Sequence, residues 1–464
     1  MEDNKTMVGR LKEAWNRLHN LEGDKVILII VLLLILISFL AIFSSTPLLP
    51  AQESRLATMK DHGAIAIVGI GFMTLLYHFK ISWIKYLSQT GFILSFLLLL
   101  ILLAKKDIGF IHVETINSAT RNFEVFGKQI HVFEIVKVAM VMYIAWAMNA
   151  VKEDKEARKL KRKPTTLSLA NRMASKYPKL KFLKKTFWKR MMYVYIPALT
   201  IIAMLFFGSG SSSILMGLAL VALMIIGGMP IKELLIAGAA GVAALGLMLG
   251  INIASDGKLI PRASTFIGRL TTDYDMNDLE GLGRDAYYEL LDDIRQPESA
   301  KVAVHEGKIL GKGIGNSTQK YKVDNIYGDY MYSFIIEEYG LIGGIIILIL
   351  YISLLARSSI IARMCENEFE KFAVGGLAVL ISGQAFMHIL VNVDIGPMTG
   401  QTLPLLSDGA SAFLTSCLAF GIILSVSRMA NKKMKNVEEA QLKYTDDIQA
   451  RISILEQIED DHQQ

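Results

Sequence analysis

Residues 25–44 read KVILIIVLLLILISFLAIFS. After the first lysine the run has no charge, no glycine and no proline. At 1.5 Å per residue its length matches a hydrocarbon core roughly 30 Å thick. Its apolar residues do not alternate with period two, so it is no barrel strand, and a closed helix satisfies the backbone in lipid. Comparable runs recur at 62–79, 84–104, 131–150, 191–207, 211–228, 231–252, 331–355, 371–392 and 409–427. The sequence therefore predicts an all-α fold: a polytopic transmembrane helix bundle of about ten spans, with a large extracytoplasmic loop between the seventh and eighth. The sixth and seventh runs are rich in Gly and Ala, which permits close helix packing.

The chain has 464 residues, 52% of them hydrophobic, a mean hydropathy of +0.40 and a net charge of +6. The basic excess lies in loops, where it reports orientation and not nucleic-acid binding. Residues 152–190 carry fifteen Lys/Arg against three acids, which places that loop in the cytoplasm. Counting spans outward puts both termini inside and 105–130, 253–330 and 393–408 outside. A basic loop of this kind could also bind anionic lipid or a partner. The N-terminal segment 1–24 has no cleavable signal pattern and is expected to be cytoplasmic. Residues 25–430 form the membrane domain, and 431–464 a charged cytoplasmic tail, helical or disordered. Cys365 and Cys417 imply no disulfide framework.

The outer segment 253–330 holds thirteen acids and ten Lys/Arg, and loops of such length are usually functional or disordered. Its end reads GKILGKGIGNSTQK from Gly307 to Lys320. Gly311, Gly313 and Gly315 would let backbone amides approach a ligand, and Lys312 adds positive charge, a combination suited to a phosphate or pyrophosphate. A flexible turn at the membrane surface is the bland alternative. Asp329 follows, placed to act as a general base or as a helix N-cap. Glu337 and Glu338 lie two turns further on at membrane depth, where carboxylates are paired, buried or functional. Glu134 and Lys137 share a helix face and can form a structural ion pair, while Arg121 in the preceding loop could meet a lipid pyrophosphate. A third polar cluster spans Asn392, Asp394, Thr399-Gly400-Gln401, Pro404 and Ser407-Asp408-Gly409, an irregular stretch that must line a cavity or be packed in protein. HExxH, CxxC and GxSxG patterns are absent.

These residues resemble the SEDS family, the FtsW/RodA/SpoVE group of peptidoglycan polymerases. Gly311–Lys320, Asp329 and the Glu337-Glu338-Tyr339-Gly340 stretch are similar to its GxGxGNSxQK…D…EExG run. Asn117-Ser118-Ala119-Thr120-Arg121 is similar to its NGAxRW, Glu134 and Lys137 to its PSExxK, and Thr399–Ser407 to its PxTGxxLPxxS segment. Within the group the wording is closer to the FtsW division branch than to the RodA elongation branch. The resemblance implies a lipid II glycosyltransferase that lengthens glycan strands outside the cytoplasmic membrane, with inversion. Asp329 would be its catalytic base. Substrate would be bound by Arg121, Lys137, Lys312, Gly311, Gly313, Gly315, Gln319, Glu338, Thr399 and Ser407. No tightly bound cofactor is implied, although a divalent cation, Mg or Mn, could assist. The implied partners are a class B penicillin-binding protein, other division-complex membrane proteins, lipid II, undecaprenyl-pyrophosphate-linked glycan and membrane lipids, at the division septum.

The chain departs from that pattern in places. Gly-Ser-Gly-Ser-Ser-Ser stands at 208–213 where PDxGTA is expected, Asn122 replaces a Trp, Asp408-Gly409-Ala410 interrupts SYGGS, and His305-Glu306 replaces a small pair. Two other readings remain open at this stage: a flippase for lipid-linked precursors, which needs no outer-face base, and a non-enzymatic division scaffold.

Overall fold

The structure, a computed structural model, describes residues 22–46, 55–105, 107, 111–116, 119–125, 127–162, 168–254, 284–323, 326–396 and 399–463. Residues 1–21, Asn117-Ser118 of the NGAxRW-like motif and 255–283 of the outer loop lie outside them. Among the described residues nine helices are long and apolar enough to cross a membrane, and a shorter apolar helix accompanies them. The order begins with α1 (Lys25–Ser45), α2 (Arg55–His78), α3 (Ile81–Ala104) and α4 (Val132–Lys159). A short α5 (Ser168–Lys176) and a 3-10 turn (Pro178–Lys184) lead to α6 (Thr186–Gly208), which contains a π turn at Met191–Tyr195. The short apolar helix is α7 (Gly210–Ile226), followed by α8 (Ile231–Ala254) and the outer helix α9 (Arg284–Gly307). Then come α10 (Ile326–Asp329), α11 (Met331–Met364), α12 (Glu368–Asn392) and α13 (Ala410–Gln463). The charged tail thus continues the last span as helix.

Two boundaries have a clear local cause. Asp24 caps α1, accepting from the amides of Val26 and Ile27 (3.0 and 3.1 Å). Ser209 caps α7, accepting from the Ser212 amide (3.2 Å), which allows a full chain reversal between α6 and α7. The most enclosed spans are α4, α12 and α13, while α8 exposes nearly its whole surface. That gradient fits their sequences: α4 and α12 carry the polar residues that need protein partners, and beyond Glu233 α8 is almost wholly apolar, rich in Gly, Ala and Leu.

One element is not helical. Strands β1 (Ile111–Ile116), β2 (Ala119–Val125) and β3 (Lys128–His131) form an antiparallel sheet in the order β1-β2-β3. The segment was expected only as an outer loop. Its last strand runs directly into α4, and Asn122 pairs with His131 across the β2–β3 ladder, so Arg121 is fixed relative to the start of α4.

The sharpest feature is in α11. Gly340 has φ +71° and ψ −176°, breaking the helix. A break at this depth frees the carbonyls of one half and the amides of the other, and lipid satisfies neither. The glycine-rich loop does so instead. The amides of Lys312 and Gly313 donate to the carbonyls of Glu337 and Glu338 (2.8 and 3.0 Å), and the amides of Leu341 and Ile342 donate to the carbonyls of Lys308 and Ile309 (2.9 and 3.4 Å). The two backbones touch: a Cβ on Gly340 would overlap the Ile309 carbonyl, and one on Gly311 the Glu338 carbonyl. Gly315, with φ +84°, faces open space. Gly340→Ala is therefore expected to lower stability by at least about 3 kcal/mol. Gly315→Ala, carrying only backbone strain, should lose about 1–2 kcal/mol. Thermal midpoints in detergent check this, and equal shifts would rule out the backbone contact as the reason for Gly340.

Candidate functional site

At the outer end of the bundle a polar cavity of about 330 Å³ is lined by several elements. Arg121 comes from β2, Glu134 from the first turn of α4, and Ser212 from the first turn of α7. Asp329 closes α10, and Gln401 and Asp408 come from the irregular segment between α12 and α13. This brings together three parts of the sequence reading: the NGAxRW-like arginine, the PSExxK-like glutamate and the aspartate after the glycine-rich run.

Asp329 is held through its main chain. Asn392 Nδ2 donates to the Asp329 carbonyl (3.1 Å), while Asn392 Oδ1 accepts from Ser333 N and Ser333 Oγ (3.0 and 2.7 Å). One turn back, His388 Nδ1 lies 2.6 Å from the Gln401 carbonyl, which can only accept. The proton is therefore on Nδ1, leaving Nε2 to accept from the Tyr332 amide (3.4 Å). Asn392 and His388, one turn apart on α12, thus lock the Asp329 carbonyl and the Gln401 backbone to the same helix. Asp408 is tied in by its amide, which donates to the Tyr327 carbonyl (2.8 Å). Its carboxylate lies 3.9 Å from Nδ1 of the buried His62.

Lys137 is 1% exposed and sits below the cavity floor. Its ammonium donates to Glu134 Oε1 (2.8 Å), Gln384 Oε1 (2.8 Å) and Gln401 Oε1 (3.2 Å), and Gln401 Nε2 donates onward to Ser212 Oγ (3.0 Å). The expected Glu134–Lys137 ion pair is present. Lys137 is fully engaged by these three acceptors and orients the Gln401 amide that faces the cavity. Ser407 Oγ accepts from the Leu403 amide (2.9 Å) and so shapes the turn that presents Asp408. Thr399 immediately precedes Gly400, which lines the cavity.

The glycine-rich loop does something different from what its composition suggested. None of the described residues lining the cavity comes from 311–320. The amides of Lys312 and Gly313 are used on the broken helix, and that of Gly315 donates to Ser44 Oγ (2.9 Å) and Glu338 Oε1 (3.1 Å). Lys312 Nζ donates to Glu337 Oε1 (2.8 Å), to Thr318 Oγ1 (2.8 Å) and to Glu306. Burial disfavours its ammonium, but Glu306 and Glu337 outweigh that and hold its pKa above the usual lysine value. Gln319 is buried beside Glu337, and Glu338 accepts from Ser44 Oγ (2.6 Å) with Lys320 3.9 Å away. Gly311, Gly313, Gly315, Lys312, Gln319 and Glu338 therefore belong to an internal lock around Glu337 and Glu338, and a phosphate cradle in this loop would have to form from donors that already face those two residues and the loop itself. Of the cationic groups proposed for substrate, Arg121 is the one that reaches the cavity.

A family model described as "Cell cycle protein", FTSW_RODA_SPOVE, matches residues 24–432. The chain belongs to the FtsW/RodA/SpoVE family. It is similar to a protein named "Probable peptidoglycan glycosyltransferase FtsW" of Thioalkalivibrio sulfidiphilus, with 26% identity over 80% of each chain. It also resembles one of the same name from Hahella chejuensis, with 34% identity over 32% of this chain and 38% of that one. For the first such relatives the match spans little more than a third of their length. Among solved structures, a chain described under "Structural coordination of polymerization and crosslinking by a peptidoglycan synthase complex" superposes with a TM-score of 0.58 at 18% identity, over 88% of this chain and 98% of that one. The rod shape determining protein RodA of Thermus thermophilus gives 0.53 at 17% identity, over 88% and 98%. These two likenesses establish the fold.

In this member of the FtsW/RodA/SpoVE family the cavity contains residues that the sequence pointed to only weakly. Ser212 lies in the stretch that departs from PDxGTA, at the edge of a predicted span, and falls in the first turn of α7. His131, predicted only as the edge of a span, lines the cavity beside Arg121 and Glu134. Burial depresses its pKa from 6.5 to about 4, against the pull of Glu134 and with the help of Arg121 and Lys137. An unfolded chain would take up that proton first as pH falls, so stability from neutral His131 is complete above pH 6.5 and is lost as pH drops toward 4. His131→Gln should flatten the acid side of a midpoint-against-pH curve. An unchanged slope would remove His131 as the cause. Lys137→Met strands the Glu134 carboxylate and should cost about 3 kcal/mol. Adding Glu134→Gln should recover part of it in a double-mutant cycle, and full additivity would argue against the pair.

Proposed function

We propose that this chain is the glycan-strand polymerase of a peptidoglycan synthase, a lipid II glycosyltransferase in which Asp329 is the catalytic base. The observation that carries the reading is the pairing of two adjoining spaces. Ser212 lines the polar cavity with Asp329 and Arg121, while its neighbour Ser213 lines an apolar groove of about 420 Å³ between α6, α7 and α8. A lipid-linked sugar has one part for each.

In this mechanism the acceptor hydroxyl gives its proton to the Asp329 carboxylate as its oxygen forms a bond to the anomeric carbon of the donor. The bond from that carbon to pyrophosphate oxygen breaks on the opposite face, with inversion, and the electron pair leaves on the pyrophosphate. Fixed charge at a developing anion is the strongest stabilising device available in a water-poor site, and Arg121 supplies it. Asn392 keeps Asp329 from swinging away. Lys137 and Gln401 present an amide that can bind sugar hydroxyls. A divalent cation fits the residues present, since Asp329 and Asp408 both line the cavity and Mg is typically held by one or two carboxylates plus substrate phosphates; when bound it would neutralise pyrophosphate charge.

The family supports a partner that cross-links the strands, a class B penicillin-binding protein, and a place in the cytoplasmic membrane at the division septum with both termini inside. Polymerisation of labelled lipid II in liposomes tests the activity. Wild type and Asp329→Asn are compared, each with and without the transpeptidase. Asp329→Asn should lose at least about 100-fold in rate at equal folded yield. Equal product from both would make Asp329 structural. No product from either, with the partner present, would favour a flippase or a scaffold.

A further inference from the structure

Residues 168–190 carry eight Lys/Arg and no Asp or Glu. This stretch is built into the fold. Lys189, wholly buried, donates to Asp154 Oδ1 and to Asn171 Oδ1 (2.7 Å each). Arg158 pairs with Asp154 Oδ2 (3.1 Å) and also donates to the Lys184 carbonyl, and Arg190 pairs with Glu233 Oε1 (2.5 Å). These bonds pin α5 and the 3-10 turn against α4 and α6, and α6 against α8.

The remaining charge points outward. Arg172, Lys176, Lys181, Lys184 and Lys185 are exposed, and none makes an ion pair among the described residues. Three lysines on neighbouring helices are instead neutralised: Lys85 by Glu153 (3.1 Å), Lys152 and Lys371 by Glu368 (2.8 and 3.2 Å). In a 3-10 helix side chains three apart eclipse, so Lys181 and Lys184 form one ridge, with Leu183 turned inward. Beside that ridge Phe182 and Trp188 pack edge to face, centroids 5.0 Å apart, and both remain about 40% exposed. Trp188 lies in the first turn of a span, the level at which aromatic side chains settle between headgroups and acyl chains.

We propose that this hairpin, residues 168–190, is a docking surface for anionic phospholipid headgroups. Phe182 and Trp188 enter the headgroup boundary, and Lys181, Lys184 and Lys185 meet the phosphates and the net negative charge there. A zwitterionic headgroup cannot neutralise that excess. An acidic protein segment could match the charge, but it would not account for an exposed aromatic pair at the membrane edge.

The test uses the full chain in nanodiscs whose lipid is either brominated phosphatidylglycerol diluted in phosphatidylcholine, or brominated phosphatidylcholine at the same mole fraction in phosphatidylglycerol-free membranes. The Trp188 signal is the tryptophan fluorescence lost in Trp188→Phe. Brominated phosphatidylglycerol should quench it more strongly, with a preference of about five-fold for each lysine engaged at low salt. That preference should fall in 0.5 M salt and vanish in Lys181→Gln/Lys184→Gln/Lys185→Gln while quenching by phosphatidylcholine persists. Equal quenching by both lipids in wild type, a preference that survives the triple substitution, or no quenching by either would overturn the proposal. The last outcome would leave an acidic protein partner as the occupant.

Discussion

Two adjacent carboxylates buried in a membrane helix constrain the outer half of this protein. Glu337 and Glu338 are at most 1% exposed, and an ion left unpaired there would cost several kcal/mol. They are accommodated because α11 breaks at Gly340 and the loop 307–320 folds over the break. The loop gives its amides and the Lys312 ammonium to the carboxylates and carbonyls, and its own carbonyls to the amides beyond. Neither partner satisfies itself alone. The loop needs a broken helix to bind, and the helix can break only where the loop supplies donors. The glycines at 311 and 340 are required because the two backbones touch.

The lock sits just below the cavity, and its effect there is positional. Asp329 follows the loop at the end of α10, and α11, the helix the loop binds, begins two residues later at Met331. From the other side α12 reaches across with Asn392 and His388. The cavity is therefore framed by helices that are polar inside because they hold one another, while its reactive face is made of residues from short or irregular elements. The lipid-linked substrate proposed here would suit such a frame, since an apolar groove is lined from the same end of α7.

The opposite end of the molecule uses charge differently. There, a buried Lys189–Asp154–Asn171 cluster supports a surface whose cations have no protein counter-charge. One end concentrates its ionic partners inside the protein and the other turns them outward, as expected for a bundle whose two faces meet different environments.

Much of this was legible in the sequence. Apolar runs of fixed length require helices because lipid offers the backbone no partner, and that argument is local, so spans, loop 152–190 and the family resemblance through Gly311–Lys320, Asp329 and Glu337–Glu338 could all be read along the chain. Arg121, Glu134, Asp329 and Gln401 could be named as polar residues without their meeting place being known. The sheet at 111–131 was not read, because short outer strands gain their stability from pairing with each other and from docking on α4. The internal bonding of the glycine-rich loop was not legible for a related reason. A run of amides and lysines suits any anion, whether a substrate phosphate or the protein's own glutamates, and composition cannot tell which anion is nearer. That choice depends on which groups the bundle brings within hydrogen-bonding distance. Sequence determined the membrane bundle because burial in lipid is a property of each segment by itself; only the tertiary structure decided which donors face the cavity, because hydrogen bonds in the interior are settled between segments far apart in the chain.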